Sequence, residues 1–195
     1  MTALSVPYRL LILLCTILIS KACGPRAPAG ETANDTAGLV IPRANEEGLA
    51  LRLLQDLLSD PQTQAEHDRN DIVSYAIDHL LDVQSMPSGL YYLMVRPGEG
   101  ELLQPGEQVQ AHYRGYFPDG TEFDNSWRRG QPLAFTVGSM IDGWNEGLQL
   151  LRPGAQAVFL IPSHLGYGAQ GLQNRQGKTL VPPNAVLIFE LEVLK

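Results

Sequence analysis

Val137-Gly138-Ser139-Met140-Ile141-Asp142-Gly143-Trp144-Asn145-Glu146-Gly147-Leu148 joins the end of an apolar strand, Leu133 to Val137, to a helix through a turn at Gly138. Trp144, Leu148 and Leu151 recur at spacings of four and three, which puts them on one helical face. The pattern predicts the one long helix of the C-terminal half, lying against a sheet, with its largest apolar side chain next to the turn. A Trp in such a place is usually core. Its neighbours in the chain have to decide whether it is more.

Working outward, Gln108 to Phe117 alternates Val109, Ala111, Tyr113 and Gly115 against polar residues. Pro118-Asp119-Gly120 then signals a hairpin that leads into Thr121 to Asn125. Upstream, Leu90 to Val95 reads as a strand closed by the turn Pro97-Gly98-Glu99-Gly100. Downstream, the helix is expected to end at Arg152-Pro153-Gly154, before strands at Ala155 to Ile161 and Ala185 to Leu194. In the last of these, Leu187, Phe189, Leu191 and Val193 face one way, and Glu190 and Glu192 the other. Strands with hairpin-like links and a single helix predict an antiparallel sheet curled over that helix, an α+β fold.

Two short amphipathic helices are expected before this body. Glu46 to Ser59 carries Leu49, Leu53, Leu54, Leu57 and Leu58 and is stopped by Asp60-Pro61. Asn70 is the expected N-cap of the second, whose stripe is Ile72, Val73, Ala76, Ile77, Leu80 and Leu81, with Pro87 marking its end. Their apolar faces must be buried on each other, on the body, or on a second copy of the chain as a homodimer.

The N-terminus reads as an address. Met1 to Arg9 is basic, and Leu10 to Ile19 is apolar apart from Thr16; ten residues suit a signal-peptide core, whereas a membrane span needs roughly 20. Ser20-Lys21-Ala22-Cys23-Gly24 resembles a bacterial lipoprotein signal in which Cys23 is lipidated, although Ser20 and Lys21 depart from its usual residues. Ordinary cleavage near Ala22, with Cys23 incidental, is the alternative. The expected organisation is a signal peptide over 1–22, a flexible Pro-, Ala- and Gly-rich tether over 23–44, a helical segment over 45–86 and a β-rich domain over 87–195. The chain is then exported to a bacterial cell envelope or periplasm and held to a membrane by the lipid.

Composition removes several classes of function. The net charge is -7 over 195 residues, without a basic stripe, which argues against nucleic acid as a partner. Both cysteines, Cys15 and Cys23, fall in the first 23 residues, so the body offers no thiolate nucleophile. The four histidines (His67, His79, His112, His164) lack the paired spacing of a metal site. No metal and no cofactor are expected.

From about Gly89 to Lys195 the chain resembles the FKBP-type peptidyl-prolyl cis-trans isomerases. Five motifs carry the resemblance, in order: Val109-Gln110-Ala111-His112-Tyr113-Arg114-Gly115, then Asp119-Gly120-Thr121-Glu122-Phe123-Asp124-Asn125-Ser126, then Gly143-Trp144-Asn145-Glu146-Gly147-Leu148, then Tyr167-Gly168, and finally Val181-Pro182-Pro183-Asn184-Ala185 leading to Leu187-Ile188-Phe189-Glu190-Leu191. The resemblance implies a five- to six-stranded antiparallel sheet wrapped around one short helix, with the active pocket between them. It places substrate binding on Tyr113, Phe123, Asp124, Leu133, Met140, Ile141, Trp144, Tyr167, Val181 and Phe189, and catalysis on Tyr113, Asp124, Ile141, Trp144 and Tyr167. Trp144 would floor the proline ring, while the Ile141 N–H and the Tyr167 hydroxyl would bond substrate carbonyls. Proline-containing unfolded or partly folded polypeptides are the implied partners, and the macrolides that fill FKBP pockets the implied ligands. Leu133 stands where an aromatic residue is common, Met140 where Val is usual, and Ala169 to Leu180 carries extra polar residues, so substrate preference is the property most open to change.

The residue types suit that chemistry. Rotation about a prolyl amide crosses a barrier of about 18–20 kcal/mol set by resonance, and needs neither nucleophile nor metal. It needs an environment that disfavours the planar, charge-separated amide and holds the twisted one. Aromatic walls and a few fixed donors can do both. Asp124 would orient Tyr113 or, on the plainer reading, close the turn at Asp124-Asn125-Ser126. Asp119 and Glu122 read as solvated turn residues. The alternative function is a catalytically weak chaperone or peptide-binding lipoprotein of the same fold.

Overall fold

The structure is a computed structural model and describes residues 38–194. The expected signal peptide over 1–22, Cys23 and its lipidation therefore lie outside the described residues. Among the described residues no helix is long and apolar enough to cross a membrane.

Helix α1 spans Glu46–Leu54 and α2 spans Gln64–Asp78. Strands follow as β1 (Gln84–Ser85), β2 (Tyr91–Arg96), β3 (Gln108–Tyr116), β4 (Glu122–Asn125) and β5 (Leu133–Thr136). Helix α3 (Asp142–Leu148) leads to β6 (Gln156–Ile161), a small hairpin of β7 (Leu172–Gln173) and β8 (Thr179–Val181), and β9 (Leu187–Val193). The main sheet is antiparallel in the order β1-β2-β6-β9-β3-β4, with β5 sharing the free side of β3 with β4. This is the FKBP-like α+β architecture.

The helix–strand turn at Gly138 lies where the sequence puts it, but α3 is only seven residues long, ending at Leu148 rather than near Arg152. Trp144, Leu148 and Leu151 are all fully buried. Two glycines let α3 lie close to β6: a Cβ on Gly143 would stand 2.5 Å from Ile161, and one on Gly147 would stand 2.6 Å from the Phe159 ring.

The α2 boundaries differ from the sequence expectation at both ends. Thr63, not Asn70, caps the helix, in a capping box with Glu66 that satisfies the first free N–H groups. Backbone N–H bonds from Gln62 and Thr63 to its carboxylate lower the pKa of Glu66. Asn70 lies inside the helix and instead ties down Leu58, accepting its N–H and donating to its carbonyl. At the other end Leu80 adopts a left-handed φ of 56°, with Leu80 N–H bonded to Ile77 O and Leu81 N–H to Ala76 O. That is a Schellman ending, and it stops the helix nine residues before Pro87.

The helices settle on the body of their own subunit. Leu49, Leu53, Ile72, Val73, Ala76 and Leu81 form one buried cluster with Tyr91, Tyr116, Val158, Leu160 and Ile188 from the outer face of the sheet. The inner face packs Phe159, Ile161, Leu187, Phe189 and Leu191 around Trp144 and Leu148. Residues on both faces of β6 and β9 are thus buried, and Glu190, read as a polar outward residue, is only 4% exposed. It is bonded by Arg114 at 3.4 Å and by the Leu39 N–H at 2.8 Å. Part of the stretch expected as tether also touches the body. Ile41 and Ala44 pack on the outer cluster, and Ala44 N–H bonds Leu80 O.

Candidate functional site

Between α3 and the inner face lies a cavity of about 330 Å³. Its lining includes all ten residues expected there: Tyr113, Phe123, Asp124, Leu133, Met140, Ile141, Trp144, Tyr167, Val181 and Phe189. They come from β3, β4, β5, the turn before α3, α3 itself, the turn around Tyr167, and β8 and β9, so only the folded chain brings them together. Leu172 and Leu180 also line it, from the hairpin β7–β8. The sequence carried no signal for these two beyond their position in the stretch from Ala169 to Leu180.

Trp144 is 1% exposed at the floor and meets three rings edge-on: Phe189 at 5.2 Å, Tyr113 at 5.3 Å and Phe135 at 5.6 Å between centroids. Phe123 stands edge-on to Phe189 at 5.5 Å. Edge-to-face contacts of this kind hold rings at fixed angles. Gly115 makes the cluster fit, since a Cβ there would lie 2.7 Å from both Phe123 and Phe189.

The Asn125 side chain, whose Oδ1 accepts the Arg128 N–H at 3.1 Å, bridges the turn after Asp124, and Asp124 itself makes contacts on both of its oxygens. Oδ2 accepts from the Tyr113 hydroxyl, and Oδ1 accepts the Asn125 N–H at 2.8 Å. Arg129 adds an ion pair to Oδ1 and donates to the Tyr113 hydroxyl at 3.1 Å. Sequence reasoning missed Arg129; its spacing of five from Asp124 across a turn was the available clue. Ser126, fully buried, accepts the Tyr113 N–H at 2.7 Å and so fixes this strand against β3. Glu122 is not a solvated turn residue: it pairs with Arg114 at 3.0 Å and Arg128 at 3.3 Å. Asp119 does serve its turn, accepting Thr121 N–H at 2.8 Å.

Three polar groups of the residues lining the cavity have no partner among the described residues: the buried Trp144 Nε1–H at its floor, and two at its edge. The Ile141 N–H, at the N-cap of α3, meets no acceptor there. The Tyr167 hydroxyl makes no hydrogen bond there, and burial raises its pKa, so it remains a neutral donor. Asn145, also missed, holds the turn that presents Ile141: its Oδ1 accepts from Gly138 N–H and Met140 N–H, each at 3.0 Å, and its Nδ2 donates to Met140 O at 2.6 Å.

A second cavity of about 380 Å³ lies between α2 and the segment from Ser85 to Gly89. It contains the Asp56–Arg69 ion pair and none of the ten expected residues, so the aromatic cavity is the better candidate on chemical grounds.

The comparisons with known proteins agree with this geometry. The family signature FKBP_C, described as FKBP-type peptidyl-prolyl cis-trans isomerase, matches residues 99–194. A probable FKBP-type peptidyl-prolyl cis-trans isomerase of Haemophilus influenzae is 42% identical over 113 residues, 58% of this chain and 45% of that protein. The crystal structure of AtFKBP13 matches with a TM-score of 0.53 and 34% identity, over 58% of this chain and 98% of that one. FkpA from Escherichia coli matches with a TM-score of 0.58 and 31% identity, over 74% of this chain and 62% of that one. The chain spans about half the length of the curated relatives it matches. With the motifs, the fold and nearly the whole of AtFKBP13 in correspondence, the chain belongs to the FKBP-type peptidyl-prolyl cis-trans isomerase family.

Proposed function

We propose that this protein is a peptidyl-prolyl cis-trans isomerase that speeds rotation of X-Pro bonds in polypeptides folding outside the cytoplasm. The observation that carries the reading is the apolar, aromatic-walled cavity with two unpartnered donors at its edge, the Ile141 N–H and the Tyr167 hydroxyl. A prolyl ring seated over Trp144 takes its amide out of water, which removes solvation from the planar, charge-separated form. The Ile141 N–H and Tyr167 O–H hold flanking carbonyls of the twisted chain. Asp124 and Arg129 fix the Tyr113 ring that forms one wall. Each tenfold gain in rate requires about 1.4 kcal/mol of preferential transition-state binding, so a few such contacts are enough. Leu133 and Met140 keep the cavity apolar while changing its outline, and macrolides that fill FKBP pockets are the natural competitive ligands.

The basic and apolar run from Met1 to Ile19 supports export, and Cys23 is the site proposed for a lipid anchor in the cell envelope. A homodimer through the N-terminal helices would rest on Leu51 and Leu54, the large apolar side chains that α1 leaves exposed.

The test is prolyl exchange in a short X-Pro peptide, with the chain from Gly24 onward beside Asp124→Ala and Trp144→Ala. Acceleration by the wild type that falls in folded variants is expected. A folded wild type that binds proline peptides without accelerating exchange would replace the enzyme by a peptide-binding chaperone.

A further inference from the structure

The N-terminal helix α2 lies outside the stretch matched by the family signature, yet one of its side chains reaches the turn that carries Tyr167. Asp68 is 1% exposed and accepts three hydrogen bonds. Its Oδ2 takes both the backbone N–H of Ser163, at 2.8 Å, and the Ser163 hydroxyl, at 2.6 Å. Its Oδ1 takes the Gln64 amide at 2.7 Å. No cation pairs with it among the described residues. A buried carboxylate is costly unless its oxygens are satisfied, so this arrangement tolerates little displacement.

Ser163 opens a 3-10 turn, Ser163–Leu165, that ends at Gly166, one residue before Tyr167. At the far end, Gly168 O accepts from Asn184 N–H at 2.8 Å. Near Ser163, the remaining polar restraint on the turn is His164, whose exposed ring nitrogen lies 3.0 Å from Ser88 O. Asp68 is therefore the buried anchor at the proximal end of the segment that aims Tyr167 into the cavity. We propose that Asp68 is a positioning residue for Tyr167, and that α2 is thereby a working part of the isomerase site. This rests on the reading of Tyr167 as a substrate-facing donor.

The full chain is compared with Asp68→Ala, Asp68→Asn, Tyr167→Phe and the double variant Asp68→Ala/Tyr167→Phe. Ile72→Val, which thins the same helix–sheet contact without touching Ser163, controls for stability. Asp68→Ala is expected to lower kcat/KM for a short X-Pro peptide about fivefold, the order of one hydrogen bond. It should cost nothing further in the Tyr167→Phe background, because both changes remove the same contact. Asn can keep the Ser163 bonds on its oxygen and turn its amide towards a flipped Gln64, so Asp68→Asn should stay near wild type. Ile72→Val should not change kcat/KM.

Hydrogen exchange at the Leu165 and Gly166 amides and the NMR signal of the Tyr167 ring separate this idea from the enzyme reading. Both should change in Asp68→Ala and not in Asp68→Asn or Ile72→Val, whether or not the wild type turns over peptide. An unchanged turn in Asp68→Ala, or additive losses in the double variant, would overturn the proposal.

Discussion

The two faces of the sheet meet their helices in different ways. On the inner face, α3 meets rings at steep angles around Trp144, and a cavity of about 330 Å³ is left open beside them. On the outer face, α1 and α2 lay mostly aliphatic side chains on Val158, Leu160 and Ile188, each of them fully buried. The aliphatic groups interdigitate over these three residues and leave them no exposure, whereas rings held edge-to-face keep their separation around an apolar cavity. The same strands serve both purposes because successive side chains point to opposite faces. The difference teaches that the covered face supports the fold, so that the open face can hold rigid walls around a vacant centre.

The sharpest break is Trp144→Ala, which should cost about 3–5 kcal/mol of stability and abolish prolyl exchange together. Leu160→Ala on the outer face should cost a similar sum, about 2–5 kcal/mol, but leave exchange per folded molecule unchanged. Urea unfolding read beside peptide exchange tests the pair. If Leu160→Ala also slows exchange in the folded protein, the two faces are not separable.

Gly115→Ala is a smaller change aimed at the inner face alone. Its methyl would press on Phe123 and Phe189, so about 1–3 kcal/mol of strain and a narrower cavity are expected, seen as weaker binding of an FKBP macrolide by calorimetry.

The least of these effects is alkaline and marks the outer face. Burial first, then Glu190, raises the pKa of Tyr116; burial also raises Tyr75 and Tyr91. A phenol whose folded pKa is raised contributes stability that is complete below about pH 10 and lost as the pH rises towards the folded value, because the unfolded chain gives up its proton first. Unfolding free energy should therefore decline above about pH 10. Tyr116→Phe should make that decline shallower, which a denaturant series at stepped pH would record.

Much of the inner face was legible beforehand. Tyr113, Phe123, Trp144, Tyr167 and Phe189 sit in motifs whose order and local spacing already specify strand, turn and helix. The outer face was less legible, for identifiable reasons. Its helices showed their stripes, but an apolar stripe does not name its partner. Thr63 and Asn70 are both good capping types, and choosing between them needed the carboxylate of Glu66 in place. Leu80 adopts a left-handed turn that favours Gly, so no composition rule marks the end of α2 there. Arg129, Asn145 and Asp68 act through contacts that form only once a turn closes or α2 reaches a segment 95 residues away.

By itself, then, the sequence determined the α+β class and the strand and helix types, because periodicity and turn chemistry are local properties, while ten of the side chains that line the cavity were named through the resemblance to the FKBP family. Tertiary structure decided what covers the back of the sheet, how Glu190 and Asp68 come to be buried with their donors, and which backbone N–H at the cavity is left without a partner. Those outcomes depend on which groups lose water together, and that is settled between segments distant in the chain.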